Sequence, residues 1–145
     1  MGELQVALTA DFGYVILATA FAILAHQWMG IRVGKARKEY GVNYPVMYAN
    51  KIDNKNAEKF NCVQRGHQNS LEILPQFFVL FFIASLQFPR TAAVLGAVFV
   101  VGRIVYFLGY STGNPKARVY GGPLYAPSLL GLLGICIYTA AKLMM

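Results

Sequence analysis

Four long apolar runs, separated by short polar segments, dominate the pattern of the chain. A helix that crosses a bilayer needs roughly 20 mainly apolar residues, and each run meets that length. The pattern predicts an all-α integral membrane protein: one domain over residues 1–145, a four-transmembrane-helix bundle with spans at about 12–33, 66–87, 91–111 and 124–143. Asp11 or Thr9 is placed to cap the first helix, and Trp28 near its far end suits the interfacial aromatic belt. A basic segment from Arg32 to Tyr40 marks the exit of that helix, and Gly41 to Asn56 reads as a loop. The second helix starts near Asn56 and continues to about Leu86. It runs through Pro75, which removes a backbone hydrogen bond and kinks the helix, a tolerable defect where neighbours satisfy the freed carbonyl. Gln87 to Arg90 makes a tight turn, the third helix runs to about Ser111, and Thr112 to Pro123 is a Gly/Pro-rich loop. The fourth helix, from about Tyr125 to Met144, carries a small-residue ladder of Gly131, Gly134, Ala140 and Ala141 suited to close packing.

Composition agrees with this picture. The 145 residues are 57% hydrophobic and 13% charged, against about 25% charged in a soluble domain. The net charge of +7 does not point to nucleic acid, because the basic residues sit between apolar runs and not on a polar domain face. The first and third loops share one side of the membrane. That side gathers Arg32, Lys35, Arg37, Lys38, Lys51, Lys55, Lys59, Arg65, Lys116 and Arg118, and the other has only Arg90 and Lys142. The positive-inside rule then puts the basic loops in the cytosol and both termini on the opposite side. The first 11 residues carry Glu3 and Asp11 and no cation, unlike a cleavable signal peptide, so the first run is expected to be retained. Cys62 and Cys136 imply no disulfide framework, and Cys62 reads as a small buried apolar side chain. Neither a Gly-rich phosphate loop nor paired Cys/His metal spacing nor a Ser-His-Asp set is present, so no metal is expected.

The chemistry concentrates where the second helix opens, in Asn61 to Pro75. Polar groups at the mouth of a membrane helix are costly unless paired, which makes them a site by default. Arg65, Asn69, Glu72 and Gln76 are spaced four, three and four, so they fall on one stripe about 60° wide. His67 points nearly the opposite way. A stripe of this kind cannot face lipid; it faces another helix or another subunit. Arginine and glutamate two turns apart, with an amide between, either neutralise each other or complement a zwitterion. On the third helix, Arg103, Tyr106, Phe107 and Tyr110 share a second stripe, read either as polar glue between helices or as a wet, hydrogen-bonding wall. His26 reads as a helix-packing residue. Arg37, Lys38 and Arg118 ring the same cytosolic face, fit either for an anionic ligand or for lipid headgroups.

Three segments carry a family resemblance: Ala36-Arg37-Lys38-Glu39-Tyr40 with Tyr44-Pro45; Phe60 to Glu72; and Gly102-Arg103 with Tyr106 and Gly109-Tyr110. On these the chain resembles the membrane-associated proteins of eicosanoid and glutathione metabolism, and within them looks most like the type-3 microsomal glutathione transferases. The resemblance implies a homotrimer of four-helix protomers in a microsomal, endoplasmic reticulum membrane, with a mitochondrial membrane as the alternative. It also implies glutathione as co-substrate, bound in a cleft between adjacent protomers. The activity implied is attack of the glutathione thiolate on a lipophilic electrophile, or reduction of a lipid hydroperoxide.

By the same resemblance, Arg65, Asn69 and Glu72 match the glutathione-binding helix, Tyr106 and Tyr110 line the cleft, and Arg37 grips a carboxylate. Lys38 stands where the leukotriene-C synthases have an arginine, keeping the charge but losing the planar fork. His67 replaces a glutamine of those relatives, and Ile73 a tyrosine. Arg118 matches the catalytic arginine that holds the thiolate, with Lys116 as the alternative in a loop about one residue longer; a fixed cation lowers a thiol's pKa and raises the thiolate fraction. The competing expectations are a non-catalytic lipid-binding or accessory subunit of the same fold, and a four-span channel, which would have no use for a zwitterion-binding stripe.

Overall fold

The computed structural model describes residues 9–145; of the sequence features above, Glu3 lies outside them. Four helices follow one another: α1 (Phe12–Tyr40), α2 (Ala57–Gln87), α3 (Pro89–Tyr110) and α4 (Gly122–Met144), with a short 3₁₀ helix at Pro115–Gly121 before α4. All four are long and apolar enough to cross a membrane.

The buried residues of α1 are Val15, Ala18, Ala22, Ala25, Met29, Val33 and Ala36. They recur every three or four positions and are mostly small, which lets the helix lie close against its neighbours. Facing this seam, Phe77 and Phe81 of α2, Phe99 of α3 and Leu132 of α4 are fully buried. The Phe77 and Phe99 rings stack in parallel, 4.2 Å between centroids and 2° between planes. Nearer the basic end, Met29, Val33, Val42, Phe60, Val63 and Phe107 form a second cluster. Cys62 of α2 is buried and free. The outward faces, among them Ile16, Leu17, Leu24, Val94 and Leu130, are exposed and apolar.

Several expectations change in detail. The helix that carries the 12–33 span is longer than the span itself. It continues through the basic segment to Tyr40, because Lys, Ala, Arg and Glu are good helix formers and nothing breaks the helix before Gly41. Gly41, at φ 66°, ends it with its amide on the Arg37 carbonyl. Asp11 occupies the N-cap position, but its side chain caps no backbone amide among the described residues; it accepts a 2.8 Å hydrogen bond from Arg90 Nε. The loop at 112–123 is partly a 3₁₀ helix, opened by the Asn114 side chain accepting from the Lys116 amide. The ladder on α4 packs in part: a Cβ at Gly131 would stand 3.2 Å from the Leu95 side chain, whereas one at Gly134 would meet nothing within 4 Å. That helix buries Ser128, Leu132 and Thr139.

Candidate functional site

The predicted stripe on α2 forms. Arg65 Nη1 donates to Glu72 Oε1 at 2.6 Å, across two helical turns, and Asn69 Nδ2 lies 3.4 Å from Glu72 Oε2. The pair is half-open to its surroundings, with 40% of the Arg65 and 47% of the Glu72 side chain exposed. Gln76 continues the stripe along the exposed face. The α1–α2 loop folds back over the start of α2. Asn61 clasps it from both ends of its amide, accepting from the Ala49 amide at 2.8 Å and donating to the Ala49 carbonyl at 2.9 Å. The clasp holds Tyr48 where its hydroxyl donates to Gln68 Oε1, beside the stripe.

The second stripe, on α3, meets the first through Arg103. Its Nη2 donates to Asn69 Oδ1 at 2.8 Å and to Ser70 Oγ at 2.9 Å. Its guanidinium carbon stands 4.2 Å from the Tyr106 ring and 4.8 Å from the Tyr125 ring. Tyr106 in turn packs edge-on against Tyr110, 5.8 Å between centroids, and Arg118 lies over the Tyr110 ring at 5.5 Å. A continuous path of polar and aromatic groups thus runs from Glu72 to Arg118. None of the ion pairs among the described residues involves Arg118, which is exposed on the 3₁₀ helix. The position of that turn is set by backbone contact. A Cβ at Gly109 would collide with the Ala117 carbonyl, and one at Gly121 with the Gly102 carbonyl and, at 2.6 Å, the Tyr106 amide nitrogen. Lys116 is exposed on the same turn.

Arg37 and Lys38 lie apart from this path. They line a hollow of about 480 Å³ with Lys35, Val42, Asn43 and Tyr44. Arg37 Nη1 donates to the Val46 carbonyl at 2.7 Å, and its guanidinium faces the Tyr44 and Phe60 rings. No hydrogen bond or ion pair among the described residues joins either cation to Arg65, Asn69 or Glu72. His67 faces α1, where its ring stacks on His26 at 4.7 Å between centroids. No group of three or more His, Cys, Asp or Glu side chains that could hold a metal ion occurs among the described residues. Tyr48 and Tyr125 are the neighbours of the site that spacing along single helices does not reveal, since one comes from a loop and the other from α4.

The arrangement offers an exchangeable plus–minus pair on an open helix face, phenolic walls and, at the far end, a cation that no carboxylate among the described residues engages. The MAPEG family profile matches residues 15–139, which contain every one of these groups. The chain belongs to the MAPEG family. Among its MAPEG relatives, human microsomal glutathione S-transferase 2 is 35% identical over 132 residues, covering 85% of this chain and 84% of the relative. An uncharacterized protein of Synechocystis is 38% identical over 104 residues, 71% of each chain. Leukotriene C4 synthase of Cavia porcellus is 28% identical over 135 residues, covering 86% of this chain and 83% of the relative. The likeness to type-3 members rests on the motif residues given above. Membership and the four apolar helices together make this MAPEG chain an integral membrane protein.

Proposed function

We propose that the protein is a membrane-bound glutathione S-transferase that joins glutathione to lipophilic electrophiles and also reduces lipid hydroperoxides. The observation that carries this reading is the open Arg65–Asn69–Glu72 group, whose two charges form no ion pair among the described residues except with each other. Glutathione brings two carboxylates and one ammonium. Its γ-glutamyl end replaces the internal ion pair with two intermolecular ones, carboxylate on Arg65 and ammonium on Glu72, so little charge is left unmatched. Tyr106 and Tyr110 supply the walls of the cleft. Arg118 holds the thiol as thiolate, and the sulfur forms the bond to the electrophilic carbon while the displaced group leaves with its electron pair. In the peroxidase reaction the sulfur takes the outer hydroperoxide oxygen, the O–O bond breaks, and the lipid alkoxide is protonated to an alcohol. A second glutathione then converts the sulfenic acid to disulfide and water.

In this reading the protein is a homotrimer, and Arg37 and Lys38 of one protomer complete the stripe of the next. Their separation from the stripe within a single chain favours that arrangement. His67 joins the ligand set through the family resemblance alone. The membrane is that of the endoplasmic reticulum, with the active face cytosolic and both termini opposite, in line with the gathering of cations at one end.

The test is an assay of purified protein in detergent with a hydrophobic electrophile and with a fatty-acid hydroperoxide, beside calorimetric titration with glutathione. Turnover of both substrates is expected. Glutathione binding without turnover of either would favour the accessory-subunit reading, and no binding would remove the site altogether.

A further inference from the structure

Arg103 is the one charged side chain buried among the described residues, at 4% exposure. Among the described residues its guanidinium donates to neutral acceptors, the Asn69 amide oxygen and the Ser70 hydroxyl, and its Nε is buried with no partner. None of the ion pairs among the described residues includes it. Ring faces of Tyr106 and Tyr125 soften the charge without cancelling it. A buried, uncompensated cation is costly. A bundle that needed only glue between α2 and α3 would gain more from an apolar contact or a neutral hydrogen bond.

Asn69 shows what the cation does. An amide side chain has an accepting end and a donating end, and a guanidinium only donates. Arg103 therefore dictates that Oδ1 of Asn69 points inward. Nδ2 must point outward to the open face, where it meets Glu72. Turned the other way, the amide would present its oxygen to the Glu72 carboxylate and to any incoming carboxylate. Ser70 cannot set this orientation, since its hydroxyl already donates to the Gly66 carbonyl at 3.0 Å.

We propose that Arg103 is a positioning residue for the α2 site: it holds Asn69 as an outward-facing donor and lends the site a buried positive charge that an anionic group of the ligand neutralises. This rests on the reading of that face as the glutathione site. Arg103 touches no reacting atom; it acts through Asn69 and through its field.

Glutathione binding measured by calorimetry in detergent, together with KM and kcat, tests the role in wild-type, Arg103→Gln, Arg103→Met and Asn69→Ala proteins and in the doubles. Gln keeps a donor for Asn69 without the charge, and Met keeps neither. Affinity is expected to fall in the order wild type, Gln, Met, with Met weaker by about 10-fold or more. The loss is expected in KM more than in kcat. Asn69→Ala is expected to add less than about twofold on the Arg103→Met background, because the amide there is already free to turn. Unfolding temperature and elution volume report on the fold; if Arg103→Met does not assemble, Arg103→Leu, which likewise keeps neither the donor nor the charge, carries the same comparison with Asn69→Ala. Wild-type-like affinity in the Arg103 variants, or losses at the two positions that multiply in full, would overturn the positioning role while leaving the site intact. A wild-type protein that binds no glutathione would overturn the site reading, and the positioning role with it.

Discussion

The two halves of α2 are built for opposite purposes. Beyond Pro75, Phe77 and Phe81 have no exposed surface, and the Phe77 ring stacks on both Phe81 and Phe99. Before it, Arg65, Asn69 and Glu72 lie on an open face and satisfy one another with bonds that a ligand can replace. One helix therefore carries both the clamp of the bundle and its exchangeable surface. Side chains in the lower half are committed to the fold, and those in the upper half are held in reserve.

Substitutions can set the halves against each other. Phe77→Ala is expected to cost about 3 kcal/mol of bundle stability. That is the lower end for such a change, because lipid and not water receives the surface in the disassembled state. Thermal unfolding in detergent reads the loss, and the folded fraction should bind glutathione as wild type does. Arg118→Ala should lower the rate of transfer at least about 100-fold, the scale of removing one charge-stabilising donor from a reacting centre, with glutathione affinity only modestly reduced and unfolding unchanged. Full activity in that variant, with activity lost in Lys116→Ala, would move the catalytic role to Lys116. Glu72→Gln should weaken glutathione binding by roughly 10-fold in calorimetry and leave the bundle as stable as before; unchanged affinity would end the zwitterion account. Glu58→Gln removes an exposed ion pair with Lys51 and should move stability by no more than about 0.5 kcal/mol and binding not at all, which fixes the baseline for the other three.

The helices and the α2 stripe are legible in the chain because both are local. Length and apolar character give the spans, and 3.6-residue spacing puts Arg65, Asn69 and Glu72 together and turns His67 away. α1 outlasts its 12–33 span for a physical reason: leaving the membrane changes which side chains suit the surface, but it does not stop a helix, and Gly41 does. What spacing cannot show is register between helices. The stacking of His67 on His26, 41 positions earlier, depends on how α1 slides along α2. So does the meeting of the two polar stripes at Arg103, which looks like two independent features until α2 and α3 are laid side by side. The small residues of α4 suggest one seam, yet Gly131 packs closely and Gly134 does not, and the longer seam lies on α1, because small size permits close packing without choosing a partner.

The bare backbone at Gly109 and Gly121 bears on how relatives of this chain diverge. With no room for even a methyl group against Ala117 or Tyr106, these two positions fix the place of Arg118 as firmly as its own identity does. A descendant that kept the arginine but acquired a side chain at either glycine would retain four membrane helices and lose the aim of its cation. On the role proposed for Arg118, loss of activity in such a lineage would begin at a residue no ligand touches, and a census that scores the arginine alone would misfile it.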